Sequence, residues 1–315
     1  LSWSLCFALN MAISPGKSTR SGTAMEHQRH SYLAAAYMLL ATVFFCLSDV
    51  LGKWLTETYP VVQVAWLRYV VGITALFTII AATSNLDKLK TGRPLWHGTR
   101  SLASACMVFF IFYGLKHIPL AEFVSLTFSI PFFVALFSPW LLKEKVTRQS
   151  WVAIGTGFIG VMFILRPTPD HFHIAHLTTL LLAFMAGLMF ISARYLSSTE
   201  NRWSLNFYLS VAGIILFGYW ALGGWVEPDL TGWFMFVALG MSQTAALACF
   251  IEASRLESPS AIAPLDYIRL IWTIIAGYVI WQEIPDQYTW AGIIIIVASG
   301  IYIVRHGYVS RTEHL

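Results

Sequence analysis

Apolar residues run through this chain in long blocks, and polar residues are confined to short gaps between the blocks. An apolar block of about 20 residues can cross the hydrocarbon core of a bilayer as a helix. Residues 83–99 form the longest connection, so no folded domain is expected outside the membrane. The pattern predicts ten spans at 32–55, 61–82, 100–116, 120–142, 150–166, 174–195, 204–224, 231–251, 260–281 and 288–305.

Composition supports a membrane protein and argues against two other classes. Hydrophobic residues make up 57% of the 315 residues and charged residues only 11%, and the mean hydropathy is +0.66. Soluble domains carry roughly 25% charged residues, and disordered chains have low hydrophobicity. The formal charge of +4 is scattered between spans and does not form the basic face of a nucleic-acid-binding domain. We therefore predict an all-α, polytopic membrane protein without a nucleic-acid partner.

The basic residues predict how the spans are oriented. If the amino terminus is cytoplasmic, fifteen of the 20 Lys and Arg residues fall in segments on that side. Three of them, Lys53, Lys116 and Arg166, fall on the opposite side. Cytoplasmic segments carry an excess of basic residues, so both termini are predicted to be cytoplasmic. Residues 1–31 are interpreted as a leader and cytoplasmic segment with a native start expected at Met25, and 306–315 as a cytoplasmic tail.

The two halves of the chain align at an offset of 139 residues, which predicts repeats at 32–166 and 174–305. Each repeat holds five spans, an odd number, so the second repeat must be inserted upside down. Inverted repeats can exchange conformations and open a central site to either side in turn, although a duplication retained only for folding is the alternative. The matching pairs include Glu144 with Glu283, Trp151 with Trp290, Leu126 with Leu265, Lys116 with Arg255 and Arg166 with Arg305.

Four charged residues lie deep within predicted spans, and Glu122 and Glu252 lie nearer to span ends. A charge at the centre of a spanning helix costs about 2.5–3.5 kcal/mol on insertion scales. Asp49 and Arg68 fall in the outer half and could pair, with Lys53 as a competing partner for Asp49. Asp266 and Arg269 are three residues apart and could pair locally on one helical face. Either pair could be purely structural, or could bind substrate or a coupling proton.

Prolines and aromatic residues favour a cavity near these charges. Pro264 precedes Asp266, and Pro131 lies in the matching span of the first repeat. Transporters build sites where helices are broken. Aromatic rings beside the charges could stack on a planar or cationic solute. The predicted substrate-binding or coupling residues are Asp49, Arg68, Asp266, Arg269, Trp66, Tyr267 and Trp272.

Several catalytic and cofactor patterns are not supported. The glycine run 155–160 matches a dinucleotide fingerprint but lies inside a span, which favours close helix packing. His171, His173 and His176 fall in a predicted outer loop, where such a cluster is usually solvated. No histidine is predicted deep in a span, and no phosphate-binding loop sequence or CxxC pair is present. We therefore expect no catalytic residues, no cofactor and no metal.

A glutamate closes the fourth span of each repeat, in Leu142-Lys143-Glu144 and Trp281-Gln282-Glu283. A tryptophan and a span rich in small residues follow each glutamate, Trp151 to Gly160 and Trp290 to Gly300. This pattern resembles the drug/metabolite transporter superfamily, specifically proteins with two EamA repeats. The segments 48–54 and 59–69 look like a bacterial subgroup that includes S-adenosylmethionine and riboflavin carriers. Asp49 departs from repeat symmetry, because the matching stretch 191–194 holds no acid.

The resemblance implies a secondary transporter for a small organic metabolite in a bacterial inner membrane. Uptake of a cofactor-like compound such as S-adenosylmethionine or riboflavin is the alternative to export. An intramembrane enzyme or a scaffold is the alternative of another class. Proton coupling and solute exchange both stay open at this point, as do a monomer and a homodimer.

Overall fold

A computed structural model describes residues 24–82, 94–141, 148–166, 168, 172–196, 202–257 and 259–306. These residues form helices joined by short turns and contain no strand. The ten predicted spans are all helical, and two of them are divided, which gives twelve helices in the described part of the chain. They are α1 Ala24–Thr58, α2 Val61–Ala82, α3 Pro94–His117, α4 Leu120–Thr127, α5 Ile130–Leu141, α6 Arg148–Leu165, α7 Ile174–Leu196, α8 Arg202–Gly223, α9 Leu230–Leu256, α10 Pro259–Asp266, α11 Arg269–Trp281 and α12 Gln287–His306.

The two divided spans break at equivalent places in the two repeats. α4 ends at Thr127 and α10 at Asp266, and these residues are separated by the repeat offset of 139. At both breaks a backbone hydrogen bond joins residues three apart instead of four. These bonds run from Ser129 N–H to Leu126 O (3.1 Å) and from Ile268 N–H to Leu265 O (3.1 Å). The predicted interruption of these spans is therefore confirmed. Pro264, however, lies inside α10, so the second break comes after the proline.

Packing between the repeats follows an approximate twofold symmetry. The most extensive contacts join α1 to α9, α6 to α12 and α2 to α8. Contacts of α3 with α8 are mirrored by contacts of α2 with α9, and contacts of α5 with α7 by contacts of α1 with α11. Contacts between the two repeats thus come in symmetry-related pairs, as expected for two intertwined inverted repeats.

One pair of contacts departs from this symmetry. α4 packs against α11 at the end of the bundle where α1 ends. Among the described residues, the symmetry-related helices α5 and α10 have no comparable contact at the opposite end. In the described part of the chain, the two broken spans therefore pack together at one end and have no comparable packing at the other.

The glycine run in α6 serves helix packing, as predicted. A Cβ atom on Gly157 would lie 2.3 Å from the ring of Phe132, and one on Gly160 would lie 3.0 Å from the carbonyl oxygen of Gly292 in α12. Small residues allow this close approach between membrane helices. A Cβ atom on Gly155 would meet nothing within 4 Å, so only part of the run is required for packing.

The outer surface of the bundle is apolar. Five helical stretches in the described residues are long and apolar enough to cross a membrane by length and composition. Large side chains such as Tyr219, Trp220 and Leu222 are mostly exposed on α8. Exposed apolar surface of this extent is stable against lipid and costly in water.

Candidate functional site

A cavity lies in the middle of the bundle, beside both helix breaks. The cavity is narrow, with a volume of about 50 Å³. Its wall combines four charged side chains with aromatic and aliphatic ones. The lining residues include Phe45, Ser48, Asp49, Arg68, Phe112, Phe123, Thr127, Phe128, Pro131, Gln243, Asp266 and Arg269.

All four charged residues predicted from the sequence line this cavity, but their pairing differs from the prediction. Arg269 Nη2 donates to Asp49 Oδ2, which joins α11 of the second repeat to α1 of the first. The predicted pairs of Asp49 with Arg68 and of Asp266 with Arg269 were wrong as hydrogen-bonded pairs. The local pair fails because the helix break between positions 266 and 269 removes the continuous turn that spacing by three requires.

Arg68 reaches the cavity from α2 and lies between aromatic rings. Its guanidinium carbon is 5.8 Å from the ring centroids of Tyr69 and Phe112, which allows a cation–π attraction. Its buried Nη1 atom has no hydrogen-bond partner among the described residues. The two rings thus flank the Arg68 guanidinium, and its Nη1 atom can still donate a hydrogen bond.

Asp266 is the last residue of α10 and lies directly at the second break. Its side chain is among the most buried charges in the described chain, with 2% of the residue exposed. The Oδ1 atom has no hydrogen-bond partner in the described residues. A buried carboxylate oxygen without a donor is costly, so this atom is available to bind a ligand or a proton.

The three predicted aromatic residues lie outside the cavity wall. The indole of Trp66 donates to Ile214 O (3.1 Å) and packs on Trp225, which ties α2 to the second repeat. Trp272 is 39% exposed on the outer surface. Tyr267 packs against its repeat equivalent Phe128, with ring centroids 4.7 Å apart and planes tilted by 36°, so both rings lie at the junction of the two repeats.

The sequence interpretation missed the uncharged polar residues of the wall. Ser48 Oγ donates to Gln243 Oε1 across 3.2 Å, between α1 and α9. Gln243 is an amide in the middle of an otherwise apolar span, and this signal was available in the sequence. Phe45, whose ring lies 5.4 Å from the Arg269 guanidinium, could not be distinguished from ordinary packing residues.

A second polar cluster closes the end of the bundle where α4 meets α11. Lys53 Nζ donates to Glu283 Oε1 (2.5 Å) and to Ile118 O (3.1 Å). Glu283 Oε2 in turn accepts the N–H of Leu120, at the first residue of α4 (2.9 Å). The carboxylate therefore caps a helix of the first repeat, where an anion is favoured by the orphan N–H groups and the helix dipole. Lys53 thus pairs with Glu283, and its predicted competition for Asp49 was wrong.

Local backbone geometry directs Glu283 towards α4. Gln282 adopts a left-handed conformation with φ 57°. The N–H groups of Gln282 and Glu283 bond to Tyr278 O and Gly277 O, both at 3.0 Å. This arrangement terminates α11 and folds the chain back over it. The equivalent glutamate, Glu144, lies outside the described residues.

Beside this cluster, His176 corrects the prediction of solvated loop histidines. It lies in the first turn of α7, is 2% exposed, and its Nε2 atom is 2.9 Å from Glu122 Oε2. His173 precedes the helix; partial burial, and then the nearby rings of His117 and His176, lower its pKa from the usual value. His171 lies outside the described residues. Among those described, no three potential ligands come together as a metal site.

Comparison with known families accounts for this architecture. A model of the EamA-like transporter family matches twice, at residues 32–166 and 173–305. The chain belongs to the EamA-like transporter family. Members of this family are multi-pass membrane proteins, and the chain is one of them.

Characterised relatives match nearly the full length at low identity. The S-adenosylmethionine uptake transporter of Rickettsia bellii is 27% identical, with 86% of this chain and 93% of that protein covered. The riboflavin transporter of Vibrio cholerae is 26% identical, covering 89% and 96% respectively. The pseudopaline exporter of Pseudomonas aeruginosa is 26% identical, covering 85% and 94%.

A solved crystal structure shares the fold. It superposes with a TM-score of 0.60 over 89% of this chain and 98% of its own, at 19% sequence identity. At this identity the likeness concerns the fold alone.

Proposed function

We propose that the chain is a secondary transporter that moves a small organic metabolite across a bacterial inner membrane by alternating access. The observation that carries this proposal is the charged cavity at two symmetry-related helix breaks. A bundle that enclosed this cavity permanently would keep four charges in the membrane without a use, at the insertion cost already noted.

The asymmetry of the two ends supports alternating access. The broken spans are joined by α4 and α11 at the end where Lys53, Glu283 and the first N–H of α4 interact. At the other end, α5 and α10 lack the equivalent packing in the described residues. In the predicted orientation the joined end is periplasmic, and we propose that the cytoplasmic end is the one that opens in this conformation. Breaking the Lys53–Glu283 cluster would be required for opening to the other side.

The direction of transport is set by the concentration gradients of the substrate and of any coupled solute or proton. The relatives are named both as uptake carriers and as an exporter, and either direction is compatible with one reversible cycle. Asp266 and Asp49 are the residues that could carry a coupling proton, and solute exchange is the alternative. An enzyme is disfavoured, because the relatives above are named as transporters.

A disulfide between α4 and α11 tests the cycle directly. A Cβ atom on Gly277 would lie 3.9 Å from Cβ of Leu120, within the range of about 3.5–4.5 Å for disulfides. We expect oxidised Leu120→Cys/Gly277→Cys to lose solute flux in proteoliposomes, because the joined end can no longer separate. Reduction should restore the flux.

The measurement is the exchange of a mixed metabolite pool, with the transported compounds identified by mass spectrometry. The two single-cysteine variants, oxidised in the same way, serve as matched controls and should retain flux. Full flux through completely cross-linked protein would contradict alternating access. Absence of protein-dependent flux in the reduced, folded protein would contradict a transporter altogether.

A further inference from the structure

The first turn of α4 is held to the second repeat by more than the contact with Glu283. The N–H of Leu120 donates to Glu283 Oε2. Two residues later, Glu122 Oε2 lies 2.9 Å from His176 Nε2 in α7, and Glu122 Oε1 accepts from the hydroxyl of Thr289 in α12 (3.4 Å). Glu122 belongs to the first repeat and these partners to the second. A motion that carries α4 away from the second repeat must therefore break both sets of contacts.

Glu122 and His176 form a buried pair. Only 5% of Glu122 and 2% of His176 is exposed. A carboxylate beside a neutral imidazole would bury one net negative charge, which is costly in a low-dielectric site. One added proton makes the pair neutral overall, either as carboxylate and imidazolium or as carboxylic acid and imidazole. Burial of the pair thus favours its proton-bound form.

The charged neighbours of the pair balance one another. Lys53 pairs with Glu283, and Arg166 pairs with Asp286, so each adds one acid and one base. The Arg166–Asp286 pair is the nearer in the network, because Arg166 Nη2 also donates to the Thr289 hydroxyl (2.9 Å). The joined end is therefore neutral only when the Glu122–His176 pair carries its proton.

Four further side chains at this end could respond to pH or shift the charge balance. They lie on helices packed against α4 or α7, or directly before α7, and are Glu57, Lys116, His117 and His173. Glu57 accepts the indole N–H of Trp281, and Lys116 is exposed. The rings of His117 and His173 stack with centroids 5.1 Å apart. Both histidines titrate in the same range of pH as His176, so any pH response needs controls for them.

The backbone of His173 accommodates His176 with one ring proton or with two. His176 Nδ1 lies 3.2 Å from the backbone nitrogen of His173 and 3.1 Å from its carbonyl oxygen. A neutral imidazole can accept from that N–H at Nδ1 while it donates to Glu122 at Nε2. An imidazolium donates at both nitrogens, to the carbonyl and to Glu122. The proton can therefore bind or leave without rotation of the ring.

A small cavity lies beside Glu122, between α4 and α11. Its volume is about 100 Å³, and both Glu122 and Glu283 line it. Ile284 also lines it and is 72% exposed, so the cavity lies close to the surface of this end. A cavity of this size with two carboxylates in its wall is large enough for water. Water in it would give protons a path to the pair.

On the basis of the proposed alternating access, we propose that Glu122 and His176 form a proton-binding site that locks the joined end. The positions related to them by the repeat offset are Ala261 and Tyr37, so the site belongs to one end alone. The joined conformation binds the proton more tightly than the separated one, in which water solvates both side chains. By linkage, the lock is strongest at low pH and weakens as the pH rises.

This lock differs from a coupling site. The proton binds and leaves at the same end of the bundle, so it regulates the cycle and is not carried across the membrane. In the predicted orientation, the lock responds to the pH of the periplasm. An acidic periplasm holds that end closed, and a neutral or alkaline one releases it.

The reactivity of a cysteine at position 120 reports separation of α4 without any substrate. Leu120 is fully buried in the joined conformation, so Leu120→Cys should react with a maleimide only when this end opens. The full-length protein is labelled in detergent, and modification of residue 120 is quantified by peptide mass spectrometry relative to the denatured protein at the same pH. One linked proton changes the equilibrium by at most about tenfold per pH unit, and we expect the relative rate to rise about tenfold between about pH 6 and about pH 8.

Glutamine substitutions of the two partners, each in the Leu120→Cys protein, should have opposite effects. Glu122→Gln removes the charge, as the bound proton does, and keeps a hydrogen-bonding side chain, so residue 120 should stay protected at both pH values. His176→Gln keeps a donor for Glu122 but cannot take up the proton, so residue 120 should react at both pH values. A purely structural contact would be weakened by either substitution, and both variants would then open alike.

His117→Gln and His173→Asn are matched controls, since each removes a neighbouring histidine and leaves the pair intact. Asn retains an acceptor for the N–H of Ala175, to which His173 Nδ1 is bonded. Both controls should keep the wild-type pH response. Gel filtration and melting temperature establish that each variant is folded. If a variant of the pair does not fold, the Leu120→Cys protein and the two controls still test the site.

The outcomes separate the proton lock from the transport proposal. A relative rate that does not vary with pH, equal effects of the two glutamine substitutions, or loss of the response in a control each overturns the proton site. Protection of residue 120 in every variant at both pH values also overturns it. Solute flux in proteoliposomes would in all these cases leave the carrier function standing. The expected pH response without any flux would support the proton site and overturn transport.

Discussion

The ion pair between Asp49 and Arg269 joins residues that are 220 positions apart in the chain. The sequence suggested Arg68 as a partner of Asp49 because both fall in the outer half of neighbouring spans. It suggested Asp266 as a partner of Arg269 because they are three residues apart on one helical face. The break after Asp266 changes the direction of the chain before Arg269 and aims its guanidinium at α1. The identity of the charged residues was thus predictable, whereas their pairing depended on how the repeats pack.

We expect the Asp49–Arg269 pair to stabilise the interface between the repeats. Asp49→Asn should lower stability by about 3 kcal/mol, because it leaves a largely buried guanidinium without its partner. Arg269→Gln should have a comparable effect. Unfolding of the single and double variants in detergent would give their coupling free energy, which we expect to be about 1–3 kcal/mol.

Arg255→Gln provides a control for this cycle, since Arg255 forms an exposed pair with Glu252 outside the cavity and should change stability by less than about 1 kcal/mol. Strict additivity of the Asp49 and Arg269 substitutions would show that the two side chains do not interact.

At the level of helices, only some of the glycines in the α6 run are in close contact with a neighbouring residue. Gly157 has Phe132 directly against it, whereas Gly155 has open space around its α-carbon. The spacing of the run was visible in the sequence. Which of its glycines faces a neighbour depended on how α6 is rotated against α5 and α12.

We predict opposite effects for two alanine substitutions in this run. Gly157→Ala should destabilise the protein by about 1–3 kcal/mol, because the fully buried Phe132 ring must move and the core is overpacked. Gly155→Ala should be neutral or slightly stabilising, because alanine favours helix and meets no neighbour. Melting temperatures in the same detergent compare them. Equal losses for both would contradict the packing derived from the structure.

The existence of the two helix breaks could be predicted from nearby residues, but the exact position of the second could not. Both breaks were expected from the prolines at matching places in the two spans, and the second also from the charged residues beside it. The position of the second break, beyond Pro264, was not, because the turn at Tyr267 and Ile268 is supported by contacts of Tyr267 with Phe128 in the other repeat.

Across the bundle, the distribution of basic residues predicts one orientation. A fluorescent protein fused to the carboxyl terminus should fold and fluoresce in the cytoplasm. Alkaline phosphatase fused after Val226, in the connection between α8 and α9, should be active because this connection is predicted to be periplasmic. The reciprocal fusions should be inactive. The opposite pattern, or a mixed one, would contradict the predicted topology.

The arrangement of the repeats also explains why the cavity is chemically asymmetric. The positions equivalent to Asp266 and Arg269 in the first repeat are Thr127 and Ile130, so the charges of the broken spans come from one repeat alone. The first repeat contributes Asp49 and Arg68 from α1 and α2 instead. An approximate twofold scaffold therefore holds a site in which each repeat supplies one acid and one base.

The helices, their number and the two repeats could be derived from the amino-acid sequence, because the bilayer demands long apolar blocks and duplication leaves a constant offset. The same demand makes a charge within a block conspicuous, which is why all four charged wall residues were identified. Only the tertiary structure decided which of them pair, that Lys53 pairs with Glu283, and that Trp66 and Trp272 lie away from the cavity. Those outcomes depend on helix rotation and on contacts between distant segments, and hydropathy along a single chain contains neither.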